Sequence, residues 1–154
     1  GNIVHAHRRP AKPIDYGFVG DIDEVDSTML RSLLEAGLTP VFSAIMHDGA
    51  GTLLNCNADS VASAVAAGVA REEAAELHFC FDKAGVLRDV NDPTTLIPQI
   101  TADTYPSLKA EGVVSAGMIP KVENALRSVE DGLQSVTIKH SDDLTNPTAG
   151  TTIR

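Results

Sequence analysis

LLNCNADSVASAVAAGVA, residues 53–70, changes its period partway along. Up to Asp59 it reads as an extended chain in which Asn55, Asn57 and Asp59 occupy every second position and so point the same way. From there SVASAVAAGVA (60–70) reads as a helix of small side chains suited to close packing on a sheet, with Asp59 opening it as N-cap. A strand running into a helix is the repeating unit of an α/β layer fold.

The alternation continues on both sides. Upstream, NIVHAH (2–7) and YGFVGDI (16–22) read as strands, and Asp26 offers an N-cap to STMLRSLLEAG (27–37), whose Met29, Leu30, Leu33 and Leu34 share a face before Gly37 stops it. PVFSAIM (40–46) is a short apolar run of the kind buried on both faces of a sheet, and HDGAGTLL (47–54) is a hairpin turning at Asp48-Gly49. Downstream, ELHFCFD (76–82) reads as another buried strand, DKAGVL (82–87) as the loop leaving it, and DTYPSLKAEG (103–112) as a short helix. SVTIK (135–139) is a late strand leading to a polar tail that ends GTTIR. The pattern predicts an α/β fold with a mainly parallel sheet, in which ligands gather at the carboxyl ends of strands.

Three segments lie where that rule places chemistry. Asparagine amides at Asn55 and Asn57 suit a carboxylate or hydroxyl, and Asp59 suits an ammonium, although turn and cap chemistry explains the same residues. Asp82 at a strand end, followed by glycine, suits a ribose or a metal-bound phosphate, and an ordinary turn fits it too. The third is GMIPKVENALRSVEDG (117–132). Pro120 suits the first position of a helix, Val122, Leu126 and Val129 with Ala125 form an apolar stripe, and Gly132 ends it. Lys121 then falls in the first turn, where the helix dipole disfavours a cation by about 0.3–1 kcal/mol. A bound anion, phosphate above all, satisfies the ammonium and the free N–H groups together. The bland alternative is a solvated lysine on a frayed end.

Composition bounds these readings. The chain has 154 residues, 43% of them hydrophobic, and no linker-like stretch, so one domain over 1–154 is expected. A formal charge of −9 with interspersed signs leaves no electrostatic footprint for nucleic acid or an anionic membrane, and no apolar run has the length of a membrane span. Cys56 and Cys80 lack CxxC spacing and suit reduced thiols in a cytoplasmic protein. Walker, GxGxxG and GxSxG motifs are absent, and the histidines, His5 and His7 included, have no metal-site spacing, so no metal site is assigned.

LLNCNADSVA (53–62), LHFCFDKAGVLRDV (77–90), EGVVSAGMIPKVENAL (111–126) and the terminal GTTI together resemble the acetylglutamate kinases of the amino acid kinase family, in order and in spacing. RRPAKPIDYGFVGDIDEVD (8–26) looks like the hairpin region of the Bacteroidetes-type members, and the NxNAD and GMxxK elements are the specific ones. The resemblance implies a three-layer αβα sandwich and ATP-dependent phosphorylation of the side-chain carboxylate of N-acetyl-L-glutamate in arginine biosynthesis, with ATP and magnesium (Mg2+) as cofactors. It implies that Asn55 and Asn57 bind the acylglutamate, that Asp59 orients catalytic lysines and that Lys121 stabilises the transferring phosphoryl group. It further implies nucleotide contacts from Asp82, Lys83, Ala84, Gly85, Val86 and Leu87, and from Val113, Val114, Ser115, Gly117 and Met118. Phe81-Asp82 departs from the hydroxyl–aspartate pair common in the family. The family's glycine-rich loop, first-strand lysine and substrate-binding arginine belong to an N-terminal half that this sequence does not contain. Gly1 therefore looks like the middle of a parent protein, a homo-oligomer by resemblance, and the chain alone is expected to be inactive. Two alternatives are an N-succinylglutamate kinase and a noncatalytic nucleotide-binding or assembly module of the same fold.

Overall fold

A computed structural model describes residues 2–114 and 117–154 and divides the chain into two compact units, Gly1–Glu73 and Ala74–Arg154. In the first, β1 (Val4–Arg8) pairs antiparallel with β2 (Gly20–Val25) and parallel with β3 (Ile45–His47), which turns through Asp48-Gly49 into the antiparallel β4 (Leu53–Asn55). The strand order is β2-β1-β3-β4. Two helices complete the unit: α1 (Ser27–Glu35), capped by the Asp26 carboxylate accepting from Met29 N at 2.9 Å, and α2 (Ala58–Ala70).

Alternation along the strands builds the core. Val4 and Ala6 of β1, Met46 of β3 and Leu54 of β4 turn to one side, where they pack with Cys56 and with Val61 of α2. Each such side chain taken out of water contributes about 1.5–3 kcal/mol if it is Val- or Leu-sized. Small residues let α2 come close: a Cβ on Gly68 would lie 3.3 Å from Val25 Cγ1. PVFSAIM is not buried on both faces as predicted. Only Ile45–His47 is strand, Val41 is 91% exposed, and of the three strand residues only Met46 is buried, because this sheet carries α2 on one face and leaves Ile45 and Leu53 exposed on the other.

The second unit contains β5 (Glu76–Phe81), β6 (Gln99–Ile100), β7 (Ser135–His140) and β8 (Thr151–Ile153) in the order β5-β7-β8-β6, with α3 (Tyr105–Ala110) and α4 (Ile119–Glu130). β5 and β7 are parallel, as are β6 and β8, while β7 and β8 are antiparallel. Val136, Ile138 and Ile153 are fully buried on the side where α4 packs through Val122 and Ala125. The stripe of α4 is thus carried by Val122, Ala125 and Ser128, with Leu126 and Val129 only half-buried. Pro120 stands second in that helix and not first, and Gly132, with φ +110°, follows its end as expected.

Two further expectations change. β5 alternates, with Phe79 buried and Glu76, His78 and Cys80 exposed, so it is covered on one face only. The terminal GTTIR is no polar tail: Thr151 and Ile153 have no exposed surface, and β8 sits inside the sheet between β7 and β6. Among the described residues no helix is long and apolar enough to cross a membrane, and Cys56 and Cys80 are free thiols.

A three-residue network ties α3 to the start of α4. Tyr105 Oη donates to Glu123 Oε1 at 2.9 Å, and Lys109 Nζ donates to the same oxygen at 2.7 Å. The Lys109 ammonium, and after it the Tyr105 hydroxyl, hold the Glu123 carboxyl below its usual range. A carboxyl depressed in the folded state adds stability above its unfolded pKa and loses it as pH falls through the folded value. Glu123→Gln is therefore expected to lower stability slightly at neutral pH, to match the parent in strong acid, and so to flatten the decline between them, as followed by near-ultraviolet circular dichroism from pH 7 to pH 2. An acid limb identical to the parent's would remove this role.

Candidate functional site

In the second unit, the segment after β5 and the turn between α3 and α4 line one cavity of about 420 Å³. Lys83, Gly85, Val86, Leu87, Arg88, Asp89 and Val90 come from the first, and Gly112, Val113 and Met118 from the second. The first wall is stiffened by a pivot at Thr151, whose hydroxyl accepts from Val86 N at 2.8 Å and donates to Ile97 O at 2.6 Å. Ile97 N returns a bond to Val86 O, and Arg88 N bonds Thr95 O, so residues 86–88 run as a short ribbon against 95–97. Asp89 N donates to Thr95 Oγ1, and the Asp92 carboxylate, held below its usual range by the hydroxyl and N–H of Thr94, caps the tight turn at 93–95. The second wall follows from the end of α3: Gly112, at φ +70°, donates to Lys109 O, and Val113 N donates to Leu108 O, which closes the helix and turns the chain.

The lining divides by chemistry. Val86, Leu87, Val90, Val113 and Met118 supply apolar surface suited to a flat ring, while Lys83 and Arg88 supply cations and Asp89 one carboxylate. Arg88 Nη1 stands 3.7 Å from Glu111 Oε2 with both side chains 58% exposed, a pair worth about 0–1 kcal/mol at most.

Of the residues predicted to meet a nucleotide, Lys83, Gly85, Val86, Leu87, Val113 and Met118 line this cavity. Asp82 and Gly117 are exposed outside its lining, Ala84 is half-buried, Val114 is core at 3% exposure, and Ser115 lies outside the described residues. Arg88, Asp89, Val90 and Gly112 line it without having been predicted. The continuation of one loop from Leu87 through Arg88-Asp89-Val90 was the available signal.

Lys121 is the third residue of α4. That helix has no acidic residue in its first turn and no side-chain bond at its N-cap, Met118. The Lys121 ammonium lies 5.8 Å from the centre of the Phe79 ring, a cation–π distance. Lys121 does not line the cavity, but Met118, one turn before it, does.

The first unit holds the other predicted residues. Asn55 ends β4 with its side chain exposed, and its backbone N donates to Phe18 O at 2.8 Å. Asn57, and not Asp59, is the N-cap of α2: its Oδ1 accepts from Ser60 N at 3.0 Å. Asp59 lies inside the first turn, half-buried, where a carboxylate complements the helix dipole. The extended register that would align all three ends at Asn57, because the helix begins at Ala58. His5 packs on His47 with ring centres 4.9 Å apart, and His7 Nδ1 is 2.6 Å from Asp23 Oδ1; among the described residues no group of three or more His, Cys, Asp or Glu is placed to hold a metal ion.

The chain is 44% identical over 156 residues to the acetylglutamate kinase of Cytophaga hutchinsonii, covering 97% of this chain and 59% of that protein. It is 44% identical over 137 residues to that of Bacteroides fragilis, covering 89% and 52%. It thus spans a little over half the length of the curated relatives it matches. N-acetylglutamate synthase from Neisseria gonorrhoeae superposes with a TM-score of 0.84 at 22% identity, over 99% of this chain and 36% of that one, which shows a shared fold. The model of the amino acid kinase family matches residues 2–140, and with the α/β units described above it establishes that the chain belongs to the amino acid kinase family.

Proposed function

We propose that this chain forms part of an acetylglutamate kinase, which transfers the γ-phosphoryl group of ATP to the side-chain carboxylate of N-acetyl-L-glutamate in the cytoplasmic synthesis of arginine. The observation that carries the reading is the 44% identity to acetylglutamate kinases over 97% of the chain. The cavity of the second unit supports a nucleotide there, with the base against Val86, Leu87, Val113 and Met118 and the polyphosphate toward Lys83. Phosphoryl transfer is achieved by positioning and charge stabilisation, and a lysine in an uncapped first helical turn, as at Lys121, is suited to the transferring group. By the family resemblance Asp59 takes the role of an orienting carboxylate, and Asn55 and Asn57 that of holding the acylglutamate. Because the Asn57 oxygen is already engaged in capping, its amide N–H₂ is the group left for substrate. Magnesium would arrive with the nucleotide phosphates, since the described side chains provide no cluster for it, and no step is assigned to a protein-held metal.

The test is acyl-phosphate formation from N-acetylglutamate and, in parallel, N-succinylglutamate, by a folded full-length protein that contains this chain. Phosphorylation of the acetyl compound is expected; a preference for the succinyl compound would move the substrate, and failure with both would remove the kinase reading. In the same assay Asn55→Ala is expected to raise KM for the acylglutamate about tenfold or more with KM for ATP little changed, because it loses a charge-assisted ground-state contact. Equal effects on both substrates would count against Asn55 as a substrate residue.

A further inference from the structure

The face of the second sheet turned away from α4 carries a feature that neither the nucleotide cavity nor the kinase reading uses. Glu76 and His78 of β5, Thr137 and Lys139 of β7 and Thr152 of β8 all point to this side, as their pairing across the strands requires. They belong to the lining of a second cavity, of about 540 Å³, which also includes Thr145. At its edge Lys139 is 1% exposed. Its ammonium donates to Asn146 O at 2.8 Å, and no carboxylate lies within ion-pair distance of it among the described residues.

A buried ammonium is costly unless paired, and one neutral carbonyl neutralises none of its charge. The lining adds a second cation, Arg154, and the hydroxyls of Thr137, Thr145 and Thr152. Its one side-chain carboxylate, Glu76, stands 3.7 Å from His78 and is outnumbered by the two cations. In a chain of formal charge −9, a concave surface with this balance is suited to a negative ligand. We propose that this cavity binds a small oxyanion, a phosphate or carboxylate group whose oxygens accept from the Lys139 ammonium and the neighbouring threonine hydroxyls. The site is separate from the nucleotide cavity: the two share no lining residue. The proposal stands whether or not the kinase reading does.

The test is nuclear magnetic resonance on the isotopically labelled 154-residue chain, titrated at constant ionic strength with inorganic phosphate and, separately, with malonate. Saturable shifts at residues 76–78, 137–139 and 144–147 are expected with one or both probes. Phosphate alone would identify a phosphoryl ligand, malonate alone a carboxylate one, and both an oxyanion of either kind. Lys139→Met keeps the apolar stem and is expected to weaken binding about tenfold or more, whereas Lys121→Ala leaves it unchanged. Should Lys139→Met fail to fold, Thr137→Val is the second variant, with a severalfold loss expected. No saturable shift, shifts confined to 117–121, or undiminished binding in whichever of these two variants folds would overturn the proposal.

Discussion

Replacing Lys121 by alanine is expected to lower kcat by about 10²–10³ while leaving thermal stability within about 1 kcal/mol of the parent. The ammonium sits in the first turn of α4, where the helix dipole disfavours a cation, and it stands 5.8 Å from the centre of the Phe79 ring. A position that is mildly unfavourable for folding and useful for a transferring phosphoryl group should separate the two readouts. Steady-state kinetics with ATP and N-acetylglutamate, alongside thermal unfolding of the same variant, provides the check. A kcat within a few fold of the parent would make Lys121 an ordinary helix-end lysine, and a large loss of stability would make it a packing residue.

The largest stability effect is expected at Gly85, in the wall of the 420 Å³ cavity. Its φ of +152° is a conformation that L side chains rarely adopt, and a Cβ there would lie 2.7 Å from Leu96 Cδ1, 2.8 Å from Thr151 Oγ1 and 2.9 Å from Thr151 N. Leu96 can rotate aside, but the backbone of β8 cannot. Gly85→Ala must therefore push the loop off the Thr151 pivot, breaking the bonds from Val86 N and to Ile97 O in a buried setting. Backbone strain and lost hydrogen bonds together suggest about 3 kcal/mol of destabilisation. ATP affinity should fall with it, because Val86 and Leu87 move with the loop. Denaturant unfolding and nucleotide titration of this variant measure both. A variant as stable as the parent would mean that the loop relaxes freely, and the cavity wall would then not be held as described.

The sequence by itself determined most of the order of elements, though not β6 or β8, and the family. Local signals suffice for these: Asp26 and Gly37 delimit α1, Asp48-Gly49 turns the hairpin, and NxNAD and GMxxK carry the likeness to a kinase. Part of the lining of the 420 Å³ cavity was legible for the same reason, since Lys83, Gly85, Val86 and Leu87 are near neighbours in one loop that follows a strand. Tertiary structure decided what depends on neighbours distant in the chain. ELHFCFD and PVFSAIM look buried on both faces by composition, yet which face is covered depends on where α2 and α4 pack, and that is not encoded in a window of seven residues. GTTIR reads as a polar tail because two threonines dominate it; only the insertion of β8 between β7 and β6 makes Thr151 a buried pivot for a loop 65 positions away in the chain. Asp59 lost the cap to Asn57 over a shift of two residues, a difference set by where the helix starts. Lys139 is the sharpest case. One lysine in SVTIK gives no sign of burial, and only the packing of residues 144–150 over β7, with Gly150 close against the Lys139 Cβ, encloses its charge.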